Sequence, residues 1–179
     1  DNAGMGDVKI VGDRAYVAAT GGSAEPIFLY PRLLLLDISD PLHPVLLGGR
    51  RIASGFQGVG LAVELRGTRA YLLGEIGLDV LDVTDPGRIE RLGSVPTSAT
   101  VLGRLYTDLD VVGEVALIAT RGEGLKAVDL SAPEQPLALM TYPETSAPGS
   151  VATSVATGDG RAFLALSKAG VEIVPIDAD

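Results

Sequence analysis

The chain alternates apolar and polar positions, and the alternation is interrupted every few residues by glycine, proline or aspartate. Val8 and Ile10 stand two apart, as do Val63 and Leu65, Leu109 and Val111, and Val155 and Thr157. A period of two predicts strands, because successive side chains leave a pleated backbone on opposite faces. Each stretch reaches a tight turn and then a second apolar run. The turns and runs are "GDRAYV" (Gly12 to Val17), "GTRAYL" (Gly67 to Leu72), "GEVALI" (Gly113 to Ile118) and "DGRAFL" (Asp159 to Leu164). A third, more uniformly apolar run follows: "LLLLDISDP" from Leu33, "LDVLDVTDP" from Leu78 and "LKAVDLSAP" from Leu125. A fourth strand is predicted over "VLLGGRR", "IERLGSV" and "PLALMTY". No segment combines helix caps with a sustained 3.6-residue period.

The acids that close the third run, Asp37, Asp82 and Asp129, together with Pro175 in the equivalent place of "VEIVPID", fall 45, 47 and 46 residues apart. The distances from each acid to the next tight turn are nearly constant as well. Two landmarks in step define four repeats, over 7–54, 61–95, 107–142 and 151–177, within a single domain over 1–179. Four-stranded units of this period, each too small to bury its own faces, predict an all-β fold: a β-propeller of about four blades of roughly 46 residues. The fourth unit stops after its third strand. Two closures remain open, an imperfect four-bladed ring or, preferred, an open arc belonging to a larger propeller.

The acid and proline have a local explanation. An Asp or Ser side chain accepts a backbone N–H two residues on, and Pro41, Pro86 and Pro133 then stop the strand. The competing reading is a calcium ligand set, with Asp37 beside Asp40 and Asp82 beside Asp85.

The combination G-x-x-A-[YF]-[VL], then an apolar strand ending D-[VIL]-[ST]-[DA]-P, then a Leu-Gly-bearing strand resembles the LVIVD repeat over nearly the whole chain, roughly residues 7 to 177. The first repeat lacks the Gly that precedes the third strand, and the fourth has Pro175 in place of the acid. The resemblance implies a β-propeller scaffold at the surface of bacterial or archaeal cells or secreted from them. It carries no catalytic residues to transfer.

A net charge of −9 disfavours nucleic-acid and anionic-membrane partners, which require basic patches. The absence of cysteine removes disulfides, thiol nucleophiles and zinc–thiolate sites. No run of 18 apolar residues predicts membrane insertion. The lone His43 lies in a turn between Pro41 and Pro44 and reads as solvated. "GEGL" and "GDGR" read as hairpin turns, because no helix follows them. No catalytic residues, metal ligands or cofactor are therefore expected.

From Tyr16 to Asp37 the first repeat spans 21 residues, longer than its counterparts by an insertion over "TGGSAEPIFLYPR" (Thr20 to Arg32). This insertion reads as a loop on the same side as the blade-to-blade connections. Phe28, Tyr30, Arg32, Phe56, Arg104, Tyr106, Arg121 and Tyr142 cluster in or beside these loops, and aromatic residues with arginine are what binding hot spots favour. The expected function is a non-catalytic interaction or structural module, extracellular or at the cell surface. Its partner is another protein, or further copies of the chain covering exposed blade edges. The alternative is an extracellular hydrolase using acids at the propeller channel.

Overall fold

The structure is a computed structural model that describes residues 4–22, 29–51, 60–74, 77–96, 106–121, 123–143 and 150–176, with no side-chain description at 4, 5, 22, 29, 30, 60 and 106. These residues form strands without any helix, one antiparallel sheet for each predicted repeat. The first sheet holds β1 (Gly4–Val11), β2 (Arg14–Gly22), β3 (Leu29–Asp37) and β4 (Val45–Arg51). The second holds β5 (Gly60–Arg66), β6 (Arg69–Gly74), β7 (Gly77–Asp82) and β8 (Glu90–Pro96). The third holds β9 (Tyr106–Val112), β10 (Val115–Thr120), β11 (Gly124–Asp129) and β12 (Leu137–Tyr142). The fourth has three described strands, β13 (Ala152–Gly158), β14 (Arg161–Leu166) and β15 (Gly170–Pro175). Within each sheet the strands lie in chain order, the simple meander of a propeller blade.

The chain divides into two compact units, Asp1–Ala99 and Thr100–Asp179. The first contains the first two sheets and the second contains the other two.

Turn chemistry explains the hairpins. The first turn of each of the first three sheets places a glycine at positive φ: Gly12 at 58°, Gly67 at 59° and Gly113 at 54°. A side chain there would strain the backbone. The fourth sheet substitutes the pair Asp159 (50°) and Gly160 (69°), the Asp-Gly sequence that a primed two-residue hairpin prefers.

At the end of the third strand, Ile38, Val83, Leu130 and Ile176 donate their N–H groups to the carbonyls of Asp13, Thr68, Glu114 and Gly160. The bond recurs in all four sheets, including the one where Pro175 replaces the acid. Proline is tolerated there because β15 is the outermost described strand of its sheet, where no ladder bond is required of it.

Each unit has its own core. In the first, Tyr16, Ala18, Leu33 and Leu35 pack on Val63, Ala70, Leu72 and Leu81. In the second, Leu117, Ala119, Leu125 and Ala127 pack on Val155, Ala162, Leu164 and Val174. A fully buried leucine contributes about 2 kcal/mol of transfer free energy, so these alternating faces dominate the stability of each pair.

Two expectations need correction. A uniformly apolar third strand implies a strand sandwiched between neighbouring blades, but it is not everywhere covered on both faces. In β7, Leu78, Val80 and Leu81 are all buried, whereas in β15 Val171 and Ile173 are more than half exposed. The insertion at Thr20 to Arg32 is also less of a loop than its composition suggests. β2 continues to Gly22 and β3 begins at Leu29, with Gly21 opposite Tyr30 and Ala19 opposite Arg32. Thr20, Gly21 and Gly22 pair with Pro31, Tyr30 and Leu29, so the backbone ladder lengthens the hairpin.

Candidate interaction surface

The repeated acids are engaged in turns. Asp37, Asp82 and Asp129 each accept the N–H two residues on, from Ser39, Thr84 and Ser131, at 2.8 Å. The Ser39 hydroxyl and N–H hold Asp37 below the usual carboxylate range; for Asp82 the Thr84 hydroxyl acts first, and for Asp129 the Ser131 N–H. The next turn is closed by Asp40, whose carboxylate meets His43 Nδ1 at 2.8 Å and Leu42 N–H at 3.0 Å. Asp85 accepts Gly87 N–H in the same way. The third repeat keeps the turn with Ala132 in that place, through the Gln135 N–H bond to the Ala132 carbonyl. Among the described residues, no three His, Asp or Glu side chains are grouped as metal ligands would be.

A second set of acids joins neighbouring blades, and sequence reading did not single them out. Asp7 on β1 caps its own strand at Val8 N–H with one oxygen (2.8 Å) and accepts Val63 N–H of β5 with the other (3.1 Å). Asp108, in the equivalent place on β9, caps Leu109 N–H and accepts both Val155 N–H (3.0 Å) and the Ser154 hydroxyl of β13. Asp110 adds the N–H and hydroxyl of Thr157. The first strand is the edge of its sheet, so its outward N–H groups have no ladder partner. A carboxylate with four lone-pair sites satisfies two such edges at once. The detectable signal was positional: Asp7 and Asp108 each lie five residues before the turn glycine.

A third feature is the buried Asp79 on β7. Arg91 Nε of β8 stands 2.8 Å from Asp79 Oδ1, close enough for an ion pair yet misaligned for a hydrogen bond. Burial raises the Asp79 carboxyl to about 6, and Arg91 and Arg50 pull in the opposite direction. Arg50 reaches from β4 to the Ile89 carbonyl at 2.8 Å, and Arg91 also bonds the Ser94 hydroxyl. The group therefore spans both sheets of the first unit.

Of the residues expected to bind, Phe28, Phe56 and Arg104 lie outside the described residues. Tyr30 and Arg32 fall in β3, beside one another at the hairpin end of the first sheet. Arg32 is exposed and drapes over Gly21, where even a Cβ would collide with its side chain. In the second unit, Tyr106 opens β9 opposite Thr120, exposed Arg121 follows β10, and Tyr142 ends β12 opposite Leu125. These three share one end of the third sheet.

The larger apolar exposure lies elsewhere. Every residue of β12 is exposed, among them Leu137, Leu139 and Met140. Val45 and Leu46 on β4, Val8 and Ile10 on β1, and Val171 and Ile173 on β15 are also more than half exposed. Patches of this kind on a folded domain mark surfaces that something covers. They read as core strands in the sequence because alternation reports a pleat and not a neighbour.

The meander sheets, their repeat and the face-to-face cores define blades of a β-propeller. The LVIVD repeat profile matches residues 4–49 and 103–143. Over these two segments the chain carries LVIVD repeats. Among solved structures, the computationally designed protein Ika4 superposes with a TM-score of 0.70 at 13% identity, over 99% of this chain and 94% of that one. Raptor of Chaetomium thermophilum superposes with a TM-score of 0.74 at 10% identity, over 100% of this chain and 16% of Raptor. At these identities the likeness bears on the fold alone. No curated protein sequence matches the chain.

Proposed function

We propose that the protein is a non-catalytic interaction module, acting at the cell surface or outside the cell, whose blades present apolar strands to a protein partner. The observation that carries this reading is the exposed apolar strand β12, with Leu137, Leu139 and Met140 each more than half exposed. The fate of the acids supports it. Those of the turns, the blade seams and the Asp79 cluster are committed to local N–H groups, hydroxyls or guanidinium partners. The net charge of −9 favours a protein partner over a nucleic acid. Exposed Tyr142 ends the same strand, and exposed Arg121 follows β10 of the same sheet.

Immobilised wild-type protein is expected to retain a partner from the surface or secreted fraction of its source cells. A Leu139→Lys, Met140→Lys variant is expected to lose that partner while unfolding at the same temperature. Equal retention by both proteins would remove β12 from the site. Saturable turnover of a glycoside, ester or phosphate substrate by the purified chain would overturn the non-catalytic reading.

A further inference from the structure

The blade seam within each unit uses the same two kinds of face. One face, here called the giving face, presents the fourth and sixth residues after the turn position, with the residues four and two before the acid position. In the first unit these are Tyr16, Ala18, Leu33 and Leu35, and in the second Leu117, Ala119, Leu125 and Ala127. The other, the receiving face, presents the third and fifth residues after the turn, with the residue before the acid and a valine of the first strand. In the first unit these are Ala70, Leu72, Leu81 and Val63, and in the second Ala162, Leu164, Val174 and Val155. The small Ala70 and Ala162 let the facing sheet approach closely. In both seams the preceding blade gives and the following blade receives.

By the same positions, the first blade carries an unused receiving face and the fourth an unused giving face. On the first blade, register places Val8, Val17 and Leu34 in one row and Ile10, Ala15 and Leu36 in the next, on the face opposite Tyr16 and Leu35. Val8 and Ile10 are 51% and 64% exposed, while Ala15 and Val17 on the central strand are buried. On the fourth blade, register places Ala156, Phe163 and Ile173 in one row and Ser154, Ala165 and Val171 in the next, on the face opposite Leu164. Ile173 is 56% exposed. Phe163 takes the place of Tyr16, and Val171 and Ile173 take the places of Leu33 and Leu35.

We infer that a second copy of this chain covers these faces, the fourth blade of one copy giving to the first blade of the next. The two halves have the residue types, positions and order of a seam the chain already builds twice, so the seam continues from one copy into another. The contact is heterologous, joining two different patches, and therefore leaves one free face of each kind on every open pair. This inference rests on the interaction-module reading, but it concerns faces separate from β12 and is tested with the purified chain alone.

Sedimentation equilibrium of the wild type is expected to give a concentration-dependent mass above the 18.4 kDa of one chain. Ile10→Lys, which spoils only the receiving face, and Ile173→Lys, which spoils only the giving face, are each expected to sediment as monomers. An equimolar mixture of the two is expected to regain a species of twice the monomer mass, because the intact giving face of one meets the intact receiving face of the other. Val8→Lys and Val171→Lys form a second pair with the same expectation, and unchanged circular dichroism confirms that each variant is folded. A wild type that stays monomeric at high concentration overturns the inference. So does a single variant that still dimerises, or a mixture that stays monomeric. Retention of a surface-fraction partner through β12 alongside any of these failures would leave the module reading standing.

Discussion

In the first unit the outer strand β4 turns Gly48 and Arg50 towards the neighbouring sheet, opposite Leu35 and Leu33. In the second unit the equivalent outer strand β12 turns Met140 and Tyr142 the same way, opposite Ala127 and Leu125. The difference lies in what meets them. Gly48 lies against the β7–β8 turn so closely that a Cβ would stand 1.9 Å from the Pro86 carbonyl oxygen. Arg50 bonds the Ile89 carbonyl just before β8. The fourth sheet has no described fourth strand, and Met140 is 52% exposed. One repeat position therefore requires glycine where a neighbour's turn presses on it and accepts methionine where it does not. The first strands of the two seams are also joined differently: Asp108 and Asp110 carry hydrogen bonds to β13 in the second unit, whereas in the first Asp7 bonds Val63 and Lys9 pairs with Glu64.

Gly48→Val should have the largest effect. The Pro86 carbonyl is backbone and has little room to yield, so overpacking should cost about 3 kcal/mol or more. Met140→Ala, at the same repeat position, should change stability by less than about 0.5 kcal/mol, as exposed substitutions do. Urea unfolding of the two variants reads the contrast directly, and equal losses would mean that the outer strands are packed alike.

Asp108→Ala should come next. It removes charge-assisted bonds to Val155 N–H and the Ser154 hydroxyl and leaves edge donors unpaired, at about 2–3 kcal/mol. Asp7→Ala loses one bond across its seam and should cost about 1 kcal/mol. A larger loss for Asp7 would show that the first unit depends on its first strands more than the bond pattern indicates. Hydrogen exchange at Val63 and Val155 would report each seam separately.

The third effect is a slope. The Asp79 carboxyl is raised to about 6 in the folded chain, from an ordinary value near 3.8. The folded state therefore holds the extra proton between these values, and this group's contribution to stability grows as pH falls from about 6 to about 4. The shift of about two pK units is worth on the order of 3 kcal/mol at most, since each unit is about 1.4 kcal/mol. Asp37, Asp82 and Asp129 act in the opposite sense. Their lowered values add stability above the ordinary carboxylate range, and that stability is lost as pH falls through it and below. Thermal unfolding across that window should lose its Asp79 contribution in an Asp79→Asn variant, leaving a curve that falls more steeply on acidification. An unchanged curve would mean that Arg91 and Arg50 already cancel the burial.

Much of this architecture is legible along the chain. The turn glycines, the recurring acid and the period of two are local properties, and local sterics and ladder bonding enforce them wherever the strands lie. The Asx turns at Asp37, Asp82 and Asp129 were readable for the same reason, since donor and acceptor are two residues apart. The bridging role of Asp7 and Asp108 was not, because their partners lie 56 and 47 residues away and are backbone groups with no sequence signature. The aromatic and arginine candidates were only partly brought together, with Tyr30 and Arg32 in one unit and Tyr106, Arg121 and Tyr142 in the other.

The sequence by itself determined four repeats, their strand order, the turns that close them and which residues alternate across each strand. Tertiary structure decided which of those faces is covered. Leu81 and Ile173 are both apolar residues of a third strand, yet one is fully buried and the other mostly exposed. Burial belongs to a pair of surfaces, and the partner surface is remote in sequence or lies on another molecule.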